Sequence, residues 1–208
     1  MINLENYLLD DWRKTMDLSD LWEQGLDIKE YLAHINTFQK EMKNRLRDVW
    51  ITPSECQRLR DFHEIRKIFV LSDPGCRDCL MNIPILIKLV ECAPNLEYKI
   101  FIRSQFPDFT AFLNKLNLDR IPIFYVVDEN FKFVNHWKER PKAAQKYINQ
   151  WEMSHPDYEK LKISQIEKGG PEFDKLEDLK AQLTDEMWNW YDTGLQSETV
   201  KEVLATLI

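Results

Sequence analysis

The spacing of apolar residues changes character twice along the chain and so divides it into three stretches. Over residues 2–61 apolar side chains recur every three or four positions, first Leu4, Tyr7 and Leu8, later Tyr31, Leu32, Ile35, Phe38 and Met42. That is the period of helices with one buried face. Gly25 and the cluster Thr52-Pro53-Ser54 punctuate the stretch into two or three helices, with Ser54 beginning a capping turn before a helix through Asp61. Beyond it the period shortens. The run Ile68-Phe69-Val70-Leu71 makes 67–71 a buried strand, 83–90 is helical, 96–102 alternates as a second strand, and 107–116 is a helix. Segments 123–127 and 131–137 read as strands around the turn Asp128-Glu129-Asn130. After Pro141 the helical period returns over 142–153, 157–168, 173–191 and 198–207, and Gly169-Gly170-Pro171 is the clearest break, a hinge before a terminal helical pair. No internal repeat or low-complexity segment interrupts the chain. The middle stretch therefore runs strand, helix, strand, helix, strand, strand, helix, an α/β order between helical flanks.

Composition narrows the function. At 208 residues with 44% hydrophobic and 12% aromatic content, the chain suits one domain with additions and has ample side chains for a core. A net charge of −7 argues against nucleic acid or an anionic membrane as partner, since both are bound through basic patches. No stretch approaches the roughly 20 apolar residues of a membrane span, and residues 1–14 lack a basic region followed by an apolar core. A cytoplasmic protein is expected. Four cysteines are too few for a disulfide scaffold. Cys56 and Cys92 are expected to be ordinary buried small residues.

The other two cysteines stand in Cys76-Arg77-Asp78-Cys79, directly after the buried strand and directly before a helical period beginning at Leu80. The first N–H groups of a helix lack intrahelical partners and carry partial positive charge, so a thiolate at Cys76 is stabilised there. Cys79 lies one turn on, with its Cα roughly 5 to 6 Å away, within the span of a disulfide. Arg77 would favour the thiolate, whereas Asp73 and Asp78 would oppose it. The turn Ser72-Asp73-Pro74-Gly75 ends the strand, and Asp73 is read as an ordinary turn residue before proline. Zinc is the competing chemistry, but a tetrahedral site needs four ligands, and no second Cys pair or paired His stands beside this one. The scattered His34, His63, His136 and His155 would join it only by an accident of folding. The cluster Met187-Trp188-Asn189-Trp190-Tyr191 points around several faces of a helix, part core and part docking surface.

On these residues the chain resembles the thioredoxin-like superfamily. The strand before the C-R-D-C motif, Pro84 five residues beyond Cys79, and Ile121-Pro122 ahead of strand 123–127 carry the resemblance. Residues 65–150 are most similar to a bacterial subgroup described only as "thioredoxin family protein". Its members carry segments like Cys76 to Pro84, an Arg after the next strand, here Arg103, and a Trp followed by Arg-Pro, here Trp137 and Arg140-Pro141. The resemblance implies a thioredoxin-like α/β fold, a central mixed sheet with a parallel first half and an antiparallel hairpin at the end, flanked by helices. It also implies a kink at Pro84 and a cis peptide bond before Pro122. The chain departs from ordinary thioredoxin in two places. Gly75 stands where that family has tryptophan, and its buried acid falls at Val70, which removes the usual proton acceptor for the resolving thiol.

The expected organisation is an N-terminal helical extension over 1–64 packed on the core, a thioredoxin-like domain over 65–153, and a C-terminal helical extension over 154–208. The expected function is thiol-disulfide oxidoreduction by Cys76 and Cys79, with Gly75, Arg77, Ile121 and Pro122 as substrate-binding residues. Partners would be a disulfide-bearing protein or small-thiol substrate and a dithiol electron donor. No cofactor and no metal are expected, since no G-x-G-x-x-G segment is present for flavin or nicotinamide. The alternative is a non-catalytic or redox-responsive adaptor that binds a dedicated partner through the same fold.

Overall fold

In a computed structural model, residues 16–164, 166 and 168–208 are described. The helical period at Leu4, Tyr7 and Leu8 lies outside them. Contacts divide the chain into two compact units, one running to Glu139 and taking in Val200–Ile208, the other Arg140–Thr199.

The first unit begins with four helices, α1 (Leu18–Trp22), α2 (Ile28–His34), α3 (Gln39–Asp48) and α4 (Pro53–Arg60). Their starts are set by polar side chains. Asp27 accepts from the backbone of Lys29 and Glu30 while Glu30 reaches back to the Asp27 N–H, a reciprocal cap that satisfies groups a helix end leaves open. Thr52 and Glu55 form the same device at α4, with Pro53 in the first helical position. The cap is thus Thr52 rather than Ser54, because Pro53 lacks only an N–H that the first turn leaves unused anyway.

Then come β1 (Arg66–Ser72), α5 (Arg77–Val90), β2 (Leu96–Ile102), α6 (Pro107–Lys115), β3 (Ile123–Val127) and β4 (Phe133–Lys138). The sheet order is β2-β1-β3-β4. β1 is parallel to β2, from Arg66 opposite Leu96 to Ser72 opposite Ile102, and antiparallel to β3, while β3 and β4 form the expected antiparallel hairpin. The mixed thioredoxin-like sheet flanked by helices is therefore present. β4 starts two residues later than the alternation suggests. Asp128 accepts from the backbone of Asn130 and Lys132, which stretches the turn and leaves Phe131 at φ 59° outside the strand.

Alternation in the central strands places Phe69, Leu71, Tyr125 and Val127 on one face, with Phe101, Trp22, Phe109 and Phe112 in the same buried cluster. Phe69 is its centre, with ring centroids of Trp22, Phe101 and Phe109 at 5.0, 5.4 and 5.7 Å. β1 and β3 are buried at nearly every position because both faces of the sheet are covered. Outside the named strands Leu26 exchanges two backbone hydrogen bonds with Ile100 on the edge strand β2, at 2.9 and 2.8 Å. Gly25 permits that approach, since a Cβ there would fall 2.5 Å from Lys99 Cβ. The Trp137 indole N–H donates to the Glu202 carboxylate at 2.9 Å, which fastens the C-terminal segment of this unit to β4.

The second unit is helical. It holds α7 (Ala144–Ser154), α8 (Pro156–Ile163), α9 (Pro171–Trp190), the wider turn Tyr191–Leu195 with non-helical dihedrals at Gly194, and the start of α10 (Gln196–Leu207). Gly170 precedes α9 and Pro171 opens it, as the break in the sequence suggests. Met187 and Tyr191 are buried, and Trp190 packs on Tyr147 at 5.4 Å, so most of the aromatic cluster is core.

Candidate functional site

β1 ends at Ser72, and the next four residues turn the chain into α5. Asp73 shapes that turn: its carboxylate accepts the Gly75 N–H at 3.1 Å, its carbonyl accepts the Cys76 N–H at 3.0 Å, and Arg103 pairs with it at 3.3 Å. Arg103 also donates its own backbone N–H to the Ser72 carbonyl at 2.8 Å. Asp73 is thereby a turn-former, and Arg103 is what clamps the turn to the end of β2.

Cys76 is the N-cap of α5, and its sulfur accepts the Cys79 N–H at 3.2 Å. A thiol takes the place that a Ser or Asp side chain fills in most helices, and a thiolate there would gain a charge-assisted bond. Cys76 is half-buried, whereas Cys79 is fully buried behind it; both are free thiols. Burial pushes the Cys79 thiol well above its ordinary value, and the neighbouring Cys76 adds to this, while the Ser72 hydroxyl and the Asp73 backbone act in the opposite sense. The half-buried and the fully buried member of the pair are thus chemically distinct.

The Cys76 thiol also donates to the Ile121 carbonyl at 3.6 Å, and the Ile121–Pro122 peptide bond is cis. Cys76, Cys79, Ile121 and Pro122 therefore come together as one site. Gly75 lies in the turn beside it, where a Cβ would meet only Asp73 Oδ1, at an ordinary 3.8 Å. Arg77 sits over the Phe38 ring, 5.7 Å from its centroid, so its guanidinium faces the segment that leads into α3.

Three site residues escaped the sequence reading. Asn82, fully buried, donates to the Asp78 and Glu139 carbonyls at 2.9 and 3.3 Å, and the Glu139 N–H bonds the Pro122 carbonyl at 2.8 Å. The dithiol helix and the Pro122 segment are held together through that one backbone unit. Tyr31 and Ser72, both buried, share a hydrogen bond of 2.7 Å. A buried amide or hydroxyl in an apolar period is the signal that marks such residues, because it must find a partner.

Cys56 and Cys92 correct an expectation. They are neither isolated nor fully buried, but form a disulfide between α4 and the end of α5. Packing brings α4 beside the last turn of α5, where Arg60 also donates to the Cys92 carbonyl at 3.3 Å. Among the described residues no group of three His, Cys, Asp or Glu side chains could hold a metal ion, and no helix is long and apolar enough to cross a membrane.

Comparison with known proteins places this geometry in a family. An HIV epitope-scaffold has a similar fold, with a TM-score of 0.61 and 20% identity over 91% of this chain and 96% of its own. A protein of unknown function from Pseudomonas aeruginosa is similar at a TM-score of 0.57 and 19% identity, over 84% of this chain and 98% of its own. At such identities the likeness is one of fold. None of the curated proteins matches the sequence. A family profile described as Thioredoxin matches residues 25–152, more than half of the 208 residues and reaching back to Gly25 ahead of α2. The chain belongs to the thioredoxin family.

Proposed function

We propose that the protein is a thiol-disulfide oxidoreductase that reduces or exchanges disulfides of a protein or small-molecule substrate. The observation that carries the reading is the asymmetry of the pair: a half-buried Cys76 sulfur on the N-terminus of α5, 3.2 Å from the Cys79 N–H, with Cys79 fully buried behind it. In the first step Cys76 thiolate attacks one sulfur of the substrate disulfide, forms a mixed disulfide and expels the other sulfur as a thiolate. Cys79 then attacks Cys76, closes the Cys76–Cys79 bond and releases the reduced substrate.

Ile121 presents its backbone beside the cysteines, and an extended substrate segment would bind along it through main-chain hydrogen bonds, with little demand on substrate sequence. Gly75 leaves the rim open to that segment, Pro122 lines it, and Arg77 flanks it. Electrons would return from a second dithiol protein or a low-molecular-weight thiol, with no separate cofactor, in keeping with a cytoplasmic setting.

The test is a redox titration in glutathione and dithiothreitol buffers, with alkylation of Cys76 and Cys79 read by mass. A single two-electron transition of this pair is expected, and Cys76→Ser should abolish both it and disulfide reduction. A midpoint near about −270 mV fits a reductant, and one near about −120 to −180 mV an oxidant or isomerase. If no Cys76–Cys79 disulfide forms in any buffer, the reading is wrong.

A further inference from the structure

We propose that the Cys56–Cys92 disulfide is a second thiol-exchange site, opened by a low-molecular-weight thiol that carries a carboxylate, with the mixed disulfide forming on Cys92. The bridge lies at the far end of α5 from Cys76 and Cys79, roughly 20 Å along the helix and too far for direct exchange with them.

Both bridged cysteines keep part of their surface exposed, and exchange requires that an incoming thiolate reach a sulfur. A groove of about 320 Å³ opens beside them. It is lined by Trp50, which is 64% exposed, and by three cations, Arg47, Arg60 and Lys88, against a single acid, Glu91. A space of that size suits a small molecule.

The three cations are not equivalent. Arg47 is held by Asp48 and Lys88 by Glu91, each at 2.7 Å. Arg60 has no acidic partner among the described residues. Its Nε donates to the Cys92 carbonyl at 3.3 Å, which keeps the guanidinium beside the residue that carries the sulfur. A carboxylate on the incoming thiol would take the remaining guanidinium N–H groups as charge-assisted hydrogen bonds.

The two sulfurs also differ as leaving groups. Cys56 stands at the end of the first turn of α4, where the unpaired N–H groups favour negative charge. Cys92 follows the C-terminal end of α5, and its sulfur lies 3.4 Å from the Lys88 carbonyl, a place that favours the protonated thiol. The sulfur with the lower pKa leaves faster, so Cys56 departs and Cys92 is attacked.

In the first step the thiolate of the small thiol bonds to Cys92 Sγ, the Cys56–Cys92 bond breaks, and Cys56 leaves as a thiolate. One disulfide is exchanged for another without an oxidant. A second molecule of the thiol then attacks the sulfur of the first, releasing the small disulfide and Cys92, which takes a proton. Two thiols are thereby oxidised and the bridge is reduced.

The test uses the full chain as the Cys76→Ser, Cys79→Ser variant, in which the bridge alone can respond, with glutathione, mercaptoethanol and cysteamine at equal thiolate concentrations. Adducts are located by peptide mass after acid quenching. Glutathione should open the bridge about three- to five-fold faster than mercaptoethanol, roughly what one exposed charge pair supplies, and cysteamine should be slowest. The adduct should sit on Cys92 and leave Cys56 open to alkylation. Arg60→Gln should abolish the preference for glutathione while leaving the mercaptoethanol rate unchanged, whereas a merely structural role would shift all three rates alike. The same mapping on the parent chain keeps the test valid if the double variant folds poorly, and the Cys92 adduct is expected there too. A bridge that no thiol opens, an adduct confined to Cys56, or equal rates with the three thiols would overturn the inference.

Discussion

Replacing Gly25 by Ala tests whether the segment ahead of α2 is held to the sheet as described. The added Cβ would lie 2.5 Å from Lys99 Cβ and 2.6 Å from Phe101 Cζ. Neither neighbour can step aside cheaply, because Lys99 Cβ is attached to the β2 backbone and Phe101 is fully buried between Phe69 and Phe109. Overpacking of this kind costs about 1–3 kcal/mol. If the segment moves out instead, the two Leu26–Ile100 hydrogen bonds go, at about 0.5–1.5 kcal/mol each. Alanine restricts the unfolded chain and returns about 0.4–1 kcal/mol. By either route the net loss is about 1–2 kcal/mol, which in a chain of this size lowers Tm by roughly 2–8 °C. The assay is urea unfolding of parent and variant, with amide exchange at Leu26 and Ile100. Gly75→Ala is the control, since its Cβ would meet only Asp73 Oδ1 at an ordinary 3.8 Å. A Gly25→Ala protein within about 0.5 kcal/mol of the parent, with both amides still protected, would refute the packing argument.

The disulfide and the buried thiol give further expectations. Cys56 and Cys92 are 36 residues apart, and closing a loop of that length stabilises the fold by about 4 kcal/mol in the chain-entropy treatment. The Cys56→Ala, Cys92→Ala double variant should lose about 2–4 kcal/mol in guanidinium unfolding under non-reducing conditions, and a loss below about 1 kcal/mol would show that the bridge restrains little. Because Cys79 is raised in the folded state, stability is unaffected by this group below about pH 8.5, the value of a free thiol. Above it the unfolded chain gives up a proton that the folded chain keeps, so stability falls by about 1.4 kcal/mol per pH unit from this group. Cys79→Ala should flatten the fall of stability between pH 9 and 10 by that amount, read from urea midpoints, and an identical slope in both proteins would contradict the burial argument.

The strands β2 and β3 span the residues that their alternation and apolar character predict, because each is a short run bounded by turn residues and buried by its neighbours. Ends set by a single side chain were less legible. Thr52 and Ser54 stand on either side of Pro53 and both can cap; only the reach of Glu55 back to the Thr52 N–H decides between them. Phe131 looks like a strand residue by type, yet Asp128 bends the backbone beneath it. In the candidate site, local spacing shows the dithiol and its helix. Tyr31 is 41 residues from Ser72, so its apolar periodicity reveals a buried face but not the oxygen it meets. The same holds for Cys56 and Cys92, whose pairing depends on how α4 packs and is not written in their spacing.

The Leu26 bridge has a consequence for behaviour at high concentration. β2 is an outer strand, and a bare outer strand offers a row of N–H and C=O groups on which a second molecule can continue the sheet. Here both backbone groups of Ile100, at the middle of that row, are already taken by the chain itself. Any strand added on this side would first have to displace Leu26, so the β2 edge carries its own block against edge-to-edge pairing.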